Sequence, residues 1–347
     1  MSTWGEQLRE LARLKAEGEP KPGDPSPHDR LRRKYLAELA NHTGRAAIVY
    51  ATCYLENREV PNGLALTVNP GDKQGFMEAV SNIKGVRELD LIITSPGGSP
   101  EAAEAIMDYL RTRFDHIRAI VPVAAMSAAT MMALACDEIV MGTHSQLGPI
   151  DPQFTIQTPE GPRYSPAQAI LDQFELAKLE CQDPKVLAAW MPLLRALTPG
   201  LLAQCVHSRQ LAEQFVATQL KAHMLSNDQA KADAVAAWFA DFSFHKSHGR
   251  PVSLDDARDQ GLAVSALEDD QVLQDLVLSV HHAVRHTFND TGTTKLIENH
   301  LGRAYIEMMS VQAFRVNQGQ LPMNPTGAGG SQPAMNRAQR RQADRKK

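Results

Sequence analysis

The middle of the chain alternates short apolar runs with amphipathic segments. Leu89–Thr94 is apolar, rich in β-branched residues and too short for a helix, which is typical of a buried strand. Apolar residues at helical spacing follow from Ile106 to Phe114. Ile117–Val123 and Glu138–Met141 predict two more strands, and the small residues between them suit a closely packed helix. This alternation predicts an α/β fold with a parallel sheet and right-handed crossovers.

The segment before Leu89 predicts one further strand–helix unit. Ala46–Leu55 is a strong strand candidate that begins the α/β domain. Asn62-Gly63 is a turn signal, and Leu64–Val68 is expected to return as a strand. Lys73–Ile83 is then expected to form a helix that leads into the Leu89 strand.

The flanking regions are mostly helical in pattern. The predicted helices cover residues 5–17, 30–44, 166–179, 199–225, 228–239, a short stretch after Pro251, 270–287 and 296–316. The helix at 199–225 is expected to begin at Thr198-Pro199. The helix at 30–44 is interpreted as peripheral, with docking on the domain body or on a partner subunit as alternatives. Residues 148–166 are rich in Pro and Gly and predict an exposed loop.

Four segments are predicted. Residues 1–45 form a helical arm with a Pro-rich linker at 19–28, and residues 46–266 form the α/β domain. Residues 267–317 form a helical extension, and residues 318–347 form a disordered basic tail with few apolar residues. That tail is interpreted as solvated, with contact to nucleic acid or to an acidic surface as the alternative.

Composition narrows the class of protein. The chain has 347 residues, 43% of them hydrophobic, which is enough for a sizeable core, and its net charge of −4 gives no general bias toward nucleic acid. The four cysteines form no CxxC pair, so buried reduced thiols are expected and a metal site is not. No signal peptide and no apolar run of membrane-spanning length is found, which predicts a cytoplasmic protein.

Two groups of residues in the central segment are candidates for a catalytic role. Gly97 and Gly98 follow a strand, where glycines can adopt positive φ and bring backbone N–H groups to a ligand. Ser127 lies where a strand gives way to a helix, and the N–H of Ala128 has no partner within that helix. A hydroxyl beside converging N–H groups suits acyl transfer. The simpler alternatives are a turn for the glycine pair and a helix cap for Ser127.

The motifs SPGGS, MSAAT, ALACDEIVMG and SQLGPIDPQ, in this order and spacing, resemble those of the Clp-fold serine peptidases. That superfamily includes the ClpP protease, the signal peptide peptidase SppA and, most similar here, the serine dehydrogenase proteinase family. The resemblance is specific between Leu89 and Gln153, extends more weakly to about residue 265, and does not cover the two ends of the chain.

The resemblance implies a ClpP/crotonase-like spiral of βαβ units with added peripheral helices. It also implies a homo-oligomer that hydrolyses peptides or unfolded protein segments without a cofactor. Ser127 would be the nucleophile, and the N–H groups of Gly98 and Ala128 would form the oxyanion hole, with Gly97 shaping its loop. No GxxxxGK[ST] loop occurs, so energy-driven unfolding would require another protein.

The sequence leaves the identity of the general base open. The LGPIDPQ turn has Ile150 and Asp151 where ClpP-like enzymes place their histidine, and Asp151 is interpreted as a turn residue. Lys178 matches the lysine base of the signal peptide peptidases in spacing, although a lysine on a helix is usually solvated. His248 is the rival because imidazole titrates near neutral pH, and His144 ranks third.

Two other functions compete with the peptidase. A catalytically inactive oligomeric scaffold is possible because the ClpP-like histidine is missing from its expected turn. A crotonase-type acyl-CoA enzyme would use the same oxyanion hole, but that chemistry has no use for the serine of MSAAT. The peptidase is the preferred hypothesis.

Overall fold

Short apolar segments pair side by side to form the central sheet, which we describe from a computed structural model. The structure describes residues 3–18, 20, 21, 23–56, 60, 63–158, 161–225 and 228–309, and these fall within one compact unit. The predicted basic tail at 318–347, the end of the predicted helix at 296–316 and Asn62 lie outside the described residues. The strands are β1 (Ala46–Thr52), β2 (Glu88–Thr94), β3 (His116–Val121), β4 (Ala124–Ala125), β5 (Glu138–Met141), β6 (Gln146–Leu147), β7 (Gln153–Thr158), β8 (Gly161–Pro166), β9 (Val264–Ala266), β10 (Thr293–Asn299) and β11 (Ala304–Met308).

The strand order confirms the predicted α/β topology. Within the described residues, seven strands form one sheet in the order β11-β10-β1-β2-β3-β5-β9. The five strands from β1 to β9 in that order run parallel, whereas β10 and β11 are antiparallel to their neighbours and close one edge. Two further two-stranded sheets pair β4 with β6 and β7 with β8.

Helices cover both faces of the sheet. They are α1 (Trp4–Ala16), α2 (Pro27–Thr43), α3 (Asp72–Val80), α4 (Pro100–Arg111), α5 (Ala128–Leu134), α6 (Ala167–Glu180), α7 (Pro184–Ala196), α8 (Leu201–Ala222), α9 (Gln229–Ala240), α10 (Phe242–His245), α11 (Leu254–Asp259) and α12 (Gln271–Asp290). Ser26 caps α2 and Gly44 ends it with φ of 70°, so this helix starts three residues earlier than predicted.

Alternation along the strands divides the core into two layers. In β1, Ile48 and Tyr50 belong to the layer under α3, α4, α5, α8 and α9, while Ala47 and Val49 face α1, α2 and α12. The apolar residues of α2 are buried in that second layer, so this helix docks on the domain body rather than lying at the periphery. The homo-oligomer that the resemblance implies stays a prediction.

Two predicted elements are wrong. Leu64–Val68 is not a strand: Gly63–Leu66 is a short 3₁₀ helix, and only Val68 forms a bridge, to Gly98. The carbonyl of Thr67 accepts hydrogen bonds from the side chains of Lys295 and Asn69 instead of pairing with a strand.

The helix predicted at 296–316 is also wrong, because its described part forms the hairpin of β10 and β11. Asn299 makes the turn: its side-chain oxygen accepts from the N–H groups of Leu301 and Arg303, and Gly302 has φ of 82°. Leu296 and Ile297 are both buried because β10 is covered on both faces.

Three further differences concern the region after the central segment. The predicted loop at 148–166 contains the β7–β8 hairpin. Helix α7 was not predicted, and the structure buries none of its side chains. Helix α8 begins after Gly200 rather than at Thr198-Pro199. Within the described residues, no single helix is both long and apolar enough to cross a membrane, although α7 and α8 together, bent by 62°, would qualify by length and composition alone.

Burial of His281 in α12 predicts that stability depends on pH. Burial lowers the pKa of His281 to about 3, and the neighbouring His282 and Arg285 act in the same direction. Between the ordinary histidine pKa of 6.5 and the folded-state pKa of about 3, the unfolded chain binds a proton that the folded chain does not. The free energy of unfolding therefore falls as the pH falls through this range. We expect His281 to reduce the free energy of unfolding by about 2 kcal/mol at pH 5 relative to pH 7.

Urea unfolding of the wild type and of His281→Asn at both pH values measures this effect. The variant should lose that part of the pH dependence, whereas His207→Asn, at an exposed position, should retain it. Identical pH dependence in the wild type and His281→Asn would contradict the prediction.

Candidate active site

Ser127 occupies a strained turn between β4 and α5. Its φ of 52° and ψ of −121° lie outside the extended geometry of a capping residue, and its side chain makes no capping hydrogen bond. Among the described residues, only Ser127 and Lys246 combine a side chain with positive φ. Such a conformation costs about 1–3 kcal/mol and persists only where its surroundings enforce it. The simple helix-cap interpretation of Ser127 is therefore wrong, and its hydroxyl is not used to satisfy the backbone.

Buried hydrogen bonds hold this turn in place. The N–H of Ser95 donates to the carbonyl of Ala124, and the N–H of Met126 donates to the carbonyl of Ser95. The hydroxyl of the fully buried Thr130 donates to the carbonyl of Ala125 at 2.7 Å and accepts from the N–H of Gly148 at 2.9 Å. The MSAAT motif thus supplies both the strained serine and the threonine whose hydroxyl connects the serine turn to the backbone at Gly148.

The two glycines of SPGGS are needed for different close approaches. Gly97 has φ of 94°, and a Cβ atom there would lie 2.5 Å from the Cβ of Ser127 and 2.8 Å from the nitrogen of Ala128. Gly98 has φ of 154°, and a Cβ there would lie 2.3 Å from the carbonyl oxygen of Val68. Only glycine fits at both positions, because the obstructing atoms are mostly backbone.

Two backbone N–H groups are available beside Ser127. Val68 forms backbone hydrogen bonds with Gly97 and Ser99, the ends of the segment Gly97–Ser99 that we call the glycine turn. The N–H of Gly98, between them, therefore points away from Val68. Ala128 is the first residue of α5, where an N–H has no partner within the helix. Within the described residues, neither N–H donates a hydrogen bond to protein. Both groups can therefore stabilise negative charge on a ligand atom.

A cleft of about 640 Å³ opens beside this turn. Its walls bring together the glycine turn, Ser127, the β7–β8 hairpin and α8. The lining residues are Thr67, Pro96, Gly97, Gly98, Pro100, Glu101, Ser127, Met131, Ile150, Pro152, Gln153, Phe154, Tyr164, Ser208, Leu211 and His248.

His248 enters the cleft with a buried carboxylate behind it. Its Nδ1 lies 2.8 Å from Oδ1 of Asp151, whose side chain is only 3% exposed. Because a carboxylate is an acceptor, this contact places the proton on Nδ1 and leaves Nε2 as the basic nitrogen. The other carboxylate oxygen accepts from Nε2 of Gln153 at 2.6 Å. Asp151 is thus more than a turn residue, because it orients an imidazole.

The other candidate bases lie outside the cleft. Lys178 on α6 has a side chain that is 56% exposed, and its ammonium group pairs with Glu175 at 2.7 Å. His144 follows β5, and its Nε2 contacts the carbonyl oxygen of Pro122 at 3.0 Å. The structure therefore brings together Ser127, Gly97, Gly98 and His248 and leaves Lys178 and His144 apart. A second cleft of about 690 Å³ lies between α8 and α9, and none of its lining residues is a histidine, serine or cysteine.

Sequence reasoning assigned no role to Gln153 or to Val68. Gln153 is two residues after Asp151 in the quoted SQLGPIDPQ motif, so its spacing was visible. The role of Val68 could not be predicted from the sequence, because it depends on a bridge to Gly98, thirty residues away.

The sheet topology and the turn at Ser127 together define a ClpP-like α/β fold. The chain belongs to the ClpP-like SDH-type serine proteinases, since the sequence profile of that family matches residues 67–283, more than half of the chain. The match confirms the resemblance and supports peptidase chemistry at the level of the family.

Two uncharacterized proteins of Methanocaldococcus jannaschii are similar to part of the chain. They are 40% and 37% identical to it over 82 residues. Each match covers 24% of this chain and 29% or 28% of the relative, so less than a third of each relative's length is matched.

Among solved structures, the 1510-N membrane-bound stomatin-specific protease is similar with a TM-score of 0.36. The sequence identity is 13%, and the alignment covers 60% of this chain and 79% of that one.

The close approach at Gly97 predicts a large loss of stability on substitution. Gly85 also has positive φ, at 75°, but a Cβ there would meet no atom within 4 Å. We expect Gly85→Ala to lower the free energy of unfolding by about 1–2 kcal/mol, which is the cost of the conformation alone. Gly97→Ala should cost about 3 kcal/mol or more because backbone atoms must also move. Chemical denaturation of both variants tests this, and equal losses would contradict the described contact.

Proposed function

We propose that this chain is a serine peptidase whose triad is Ser127, His248 and Asp151. One observation carries the proposal: His248 is held by the buried Asp151 at 2.8 Å and lines the same cleft as Ser127. A nucleophile, a base and a residue that orients the base are the components of acyl transfer by serine. The proposed substrate is a peptide or an unfolded protein segment, which fits the serine proteinase family to which the chain belongs.

In this mechanism, Nε2 of His248 accepts the proton of Ser127 as Oγ attacks the carbonyl carbon of the scissile peptide bond. The N–H groups of Gly98 and Ala128 donate to the oxyanion that forms. His248 then gives the proton to the leaving amine, and an acyl-enzyme ester on Ser127 results. A water molecule, deprotonated by His248, hydrolyses that ester and regenerates the serine.

The proposal favours His248 over Lys178 on physical grounds. A lysine acts as a base near neutral pH only when burial or a neighbouring cation makes its neutral form accessible. Lys178 is largely exposed and pairs with the carboxylate of Glu175, so neither condition is met at this residue. An imidazole needs no such adjustment.

The order of these residues along the chain differs from that implied by the resemblance to ClpP. There a histidine follows the serine and an aspartate comes later, whereas here Asp151 occupies the earlier place and His248 the later one. The hydrogen bond between them joins residues 97 positions apart in the chain. We infer that base and orienting residue have exchanged positions, which explains why the expected histidine is missing from LGPIDPQ.

Reaction with a fluorophosphonate probe tests the nucleophile and the base together. Wild-type protein should be labelled and Ser127→Ala should not. His248→Ala should lower the labelling rate by about 10²–10⁴-fold, the usual contribution of a general base. Lys178→Ala should label at the wild-type rate. Full labelling of His248→Ala with loss in Lys178→Ala would reverse the assignment.

The same experiment separates the alternative functions. An intact fold that the probe does not label at any pH would favour the inactive scaffold. Tight binding of acyl-CoA without labelling would favour the crotonase-type enzyme.

Asp151→Asn isolates the orienting role. The amide can present its NH₂ group to Nδ1 and so favour the wrong tautomer of His248. We expect the labelling rate to fall by about 10²-fold or more while the far-UV circular dichroism is retained. Asp259→Asn, on the exposed surface of α11, is the matched control and should label normally. Equal rates for both variants would exclude Asp151 from the triad.

A further inference from the structure

A buried ion pair lies behind the glycine turn. Nζ of Lys295 on β10 is 2.6 Å from Oδ1 of Asp72, at the start of α3, and both side chains are fully buried. Neither residue lines the cleft. Because burying two charges is costly, such a pair is weak evidence for a role in stability.

The polar contacts of this pair converge on one short segment, Thr67–Asn69. Lys295 donates to the carbonyl of Thr67 at 2.9 Å. Asp72 accepts from the N–H of Asn69 at 3.0 Å and from the hydroxyl of Tyr50 at 2.8 Å. Burial and the adjacent Asp72 raise the pKa of Tyr50 well above its usual value, which keeps the phenol a donor. The segment is therefore fixed on both sides of Val68.

Val68 in turn fixes the glycine turn. Its N–H donates to the carbonyl of Gly97 at 2.8 Å, and its carbonyl accepts from the N–H of Ser99 at 2.9 Å. The contact is too close for any side chain at Gly98. Because these two bonds bracket Gly98, the position of Val68 determines where the N–H of Gly98 points.

We propose that Lys295 and Asp72 are positioning residues that aim the Gly98 N–H at the oxyanion by clamping Thr67–Asn69 against the glycine turn. They act through Val68 and do not contact the substrate. The catalytic consequence rests on the proposed function, whereas the structural consequence does not. Charged groups suit this task because directional hydrogen bonds fix a loop that apolar packing would leave free to slide.

A second buried ion pair supplies a matched control. Nε of Arg32 on α2 lies 2.7 Å from Oε2 of Glu298, which is also on β10, and both side chains are fully buried. No hydrogen bond described in the structure links that pair to Thr67–Asn69. Removing both charges of a buried pair leaves neither partner as an unpaired buried charge and so preserves folding better than a single substitution. Asp29 and Arg33, which also pair with members of the control pair, are partly exposed to solvent. The test variants are therefore Lys295→Met/Asp72→Asn and Arg32→Met/Glu298→Gln.

Hydrogen exchange and probe labelling are measured on the full chain of both double variants. In Lys295→Met/Asp72→Asn we expect the amides of Val68 and Ser99 to exchange at least tenfold faster, because their hydrogen bonds open more often. Fluorophosphonate labelling of Ser127 should slow by about tenfold or more, because a misdirected donor stabilises the oxyanion less. The control pair should leave both rates within about threefold of the wild type at a comparable melting temperature.

Unchanged exchange at Val68 and Ser99 would overturn the proposal whatever the labelling rate. Faster exchange with normal labelling would overturn the positioning role, since the N–H of Gly98 would then be aimed without the clamp. Equal slowing in the control pair would show a general effect of destabilisation and would likewise overturn it. If the wild type is not labelled, the proposed function fails, and the exchange rates alone decide whether the ion pair holds the glycine turn.

Discussion

The site depends on the contact between a left-handed glycine and a strained serine. Gly97 lies so close to Ser127 and Ala128 that no side chain fits between them. This contact places the glycine turn and the start of α5 side by side. The N–H groups of Gly98 and Ala128, which donate to no protein atom within the described residues, therefore lie on the two segments that meet at Ser127. The strain at Ser127 is sustained by buried hydrogen bonds from neighbouring segments, of which Thr130 makes two. Strain concentrated at one residue and enforced by rigid surroundings is typical of active sites.

The proposed base and the residue that orients it lie on segments remote from the serine in sequence. Asp151 follows β6, and His248 lies in the loop between α10 and α11, yet a 2.8 Å contact joins them at the cleft. The carboxylate is buried and is held by Gln153, so the imidazole has a defined orientation. In the proposed triad the aspartate precedes the histidine along the chain, and the hydrogen bond between them is formed only in the folded protein.

Buried charge recurs on β10, where Lys295 and Glu298 each form an ion pair without exposure to solvent. These pairs lie on opposite faces of the sheet edge and connect to different parts of the chain. One reaches the segment that borders the cleft, and the other joins α2 to the sheet. A strand that the sequence pattern predicted as a helix therefore links the candidate active site to the body of the domain.

The sequence by itself determined the central βαβ pattern and the family, and it pointed to Ser127 and the two glycines as candidate site residues. These features are local, because the apolar period, the β-branched runs and the glycine pair act within a few residues. The sequence predicted a helix at 296–316 and a strand at Leu64–Val68, and both predictions were wrong. Short apolar runs fit the helical and the strand period equally well, so a partner strand or a side-chain contact determines which structure forms. Only the tertiary structure chose between Lys178 and His248 as the residue in the cleft and revealed Asp151 behind it. Burial and a contact between residues 97 positions apart are properties of the folded chain that no local pattern encodes.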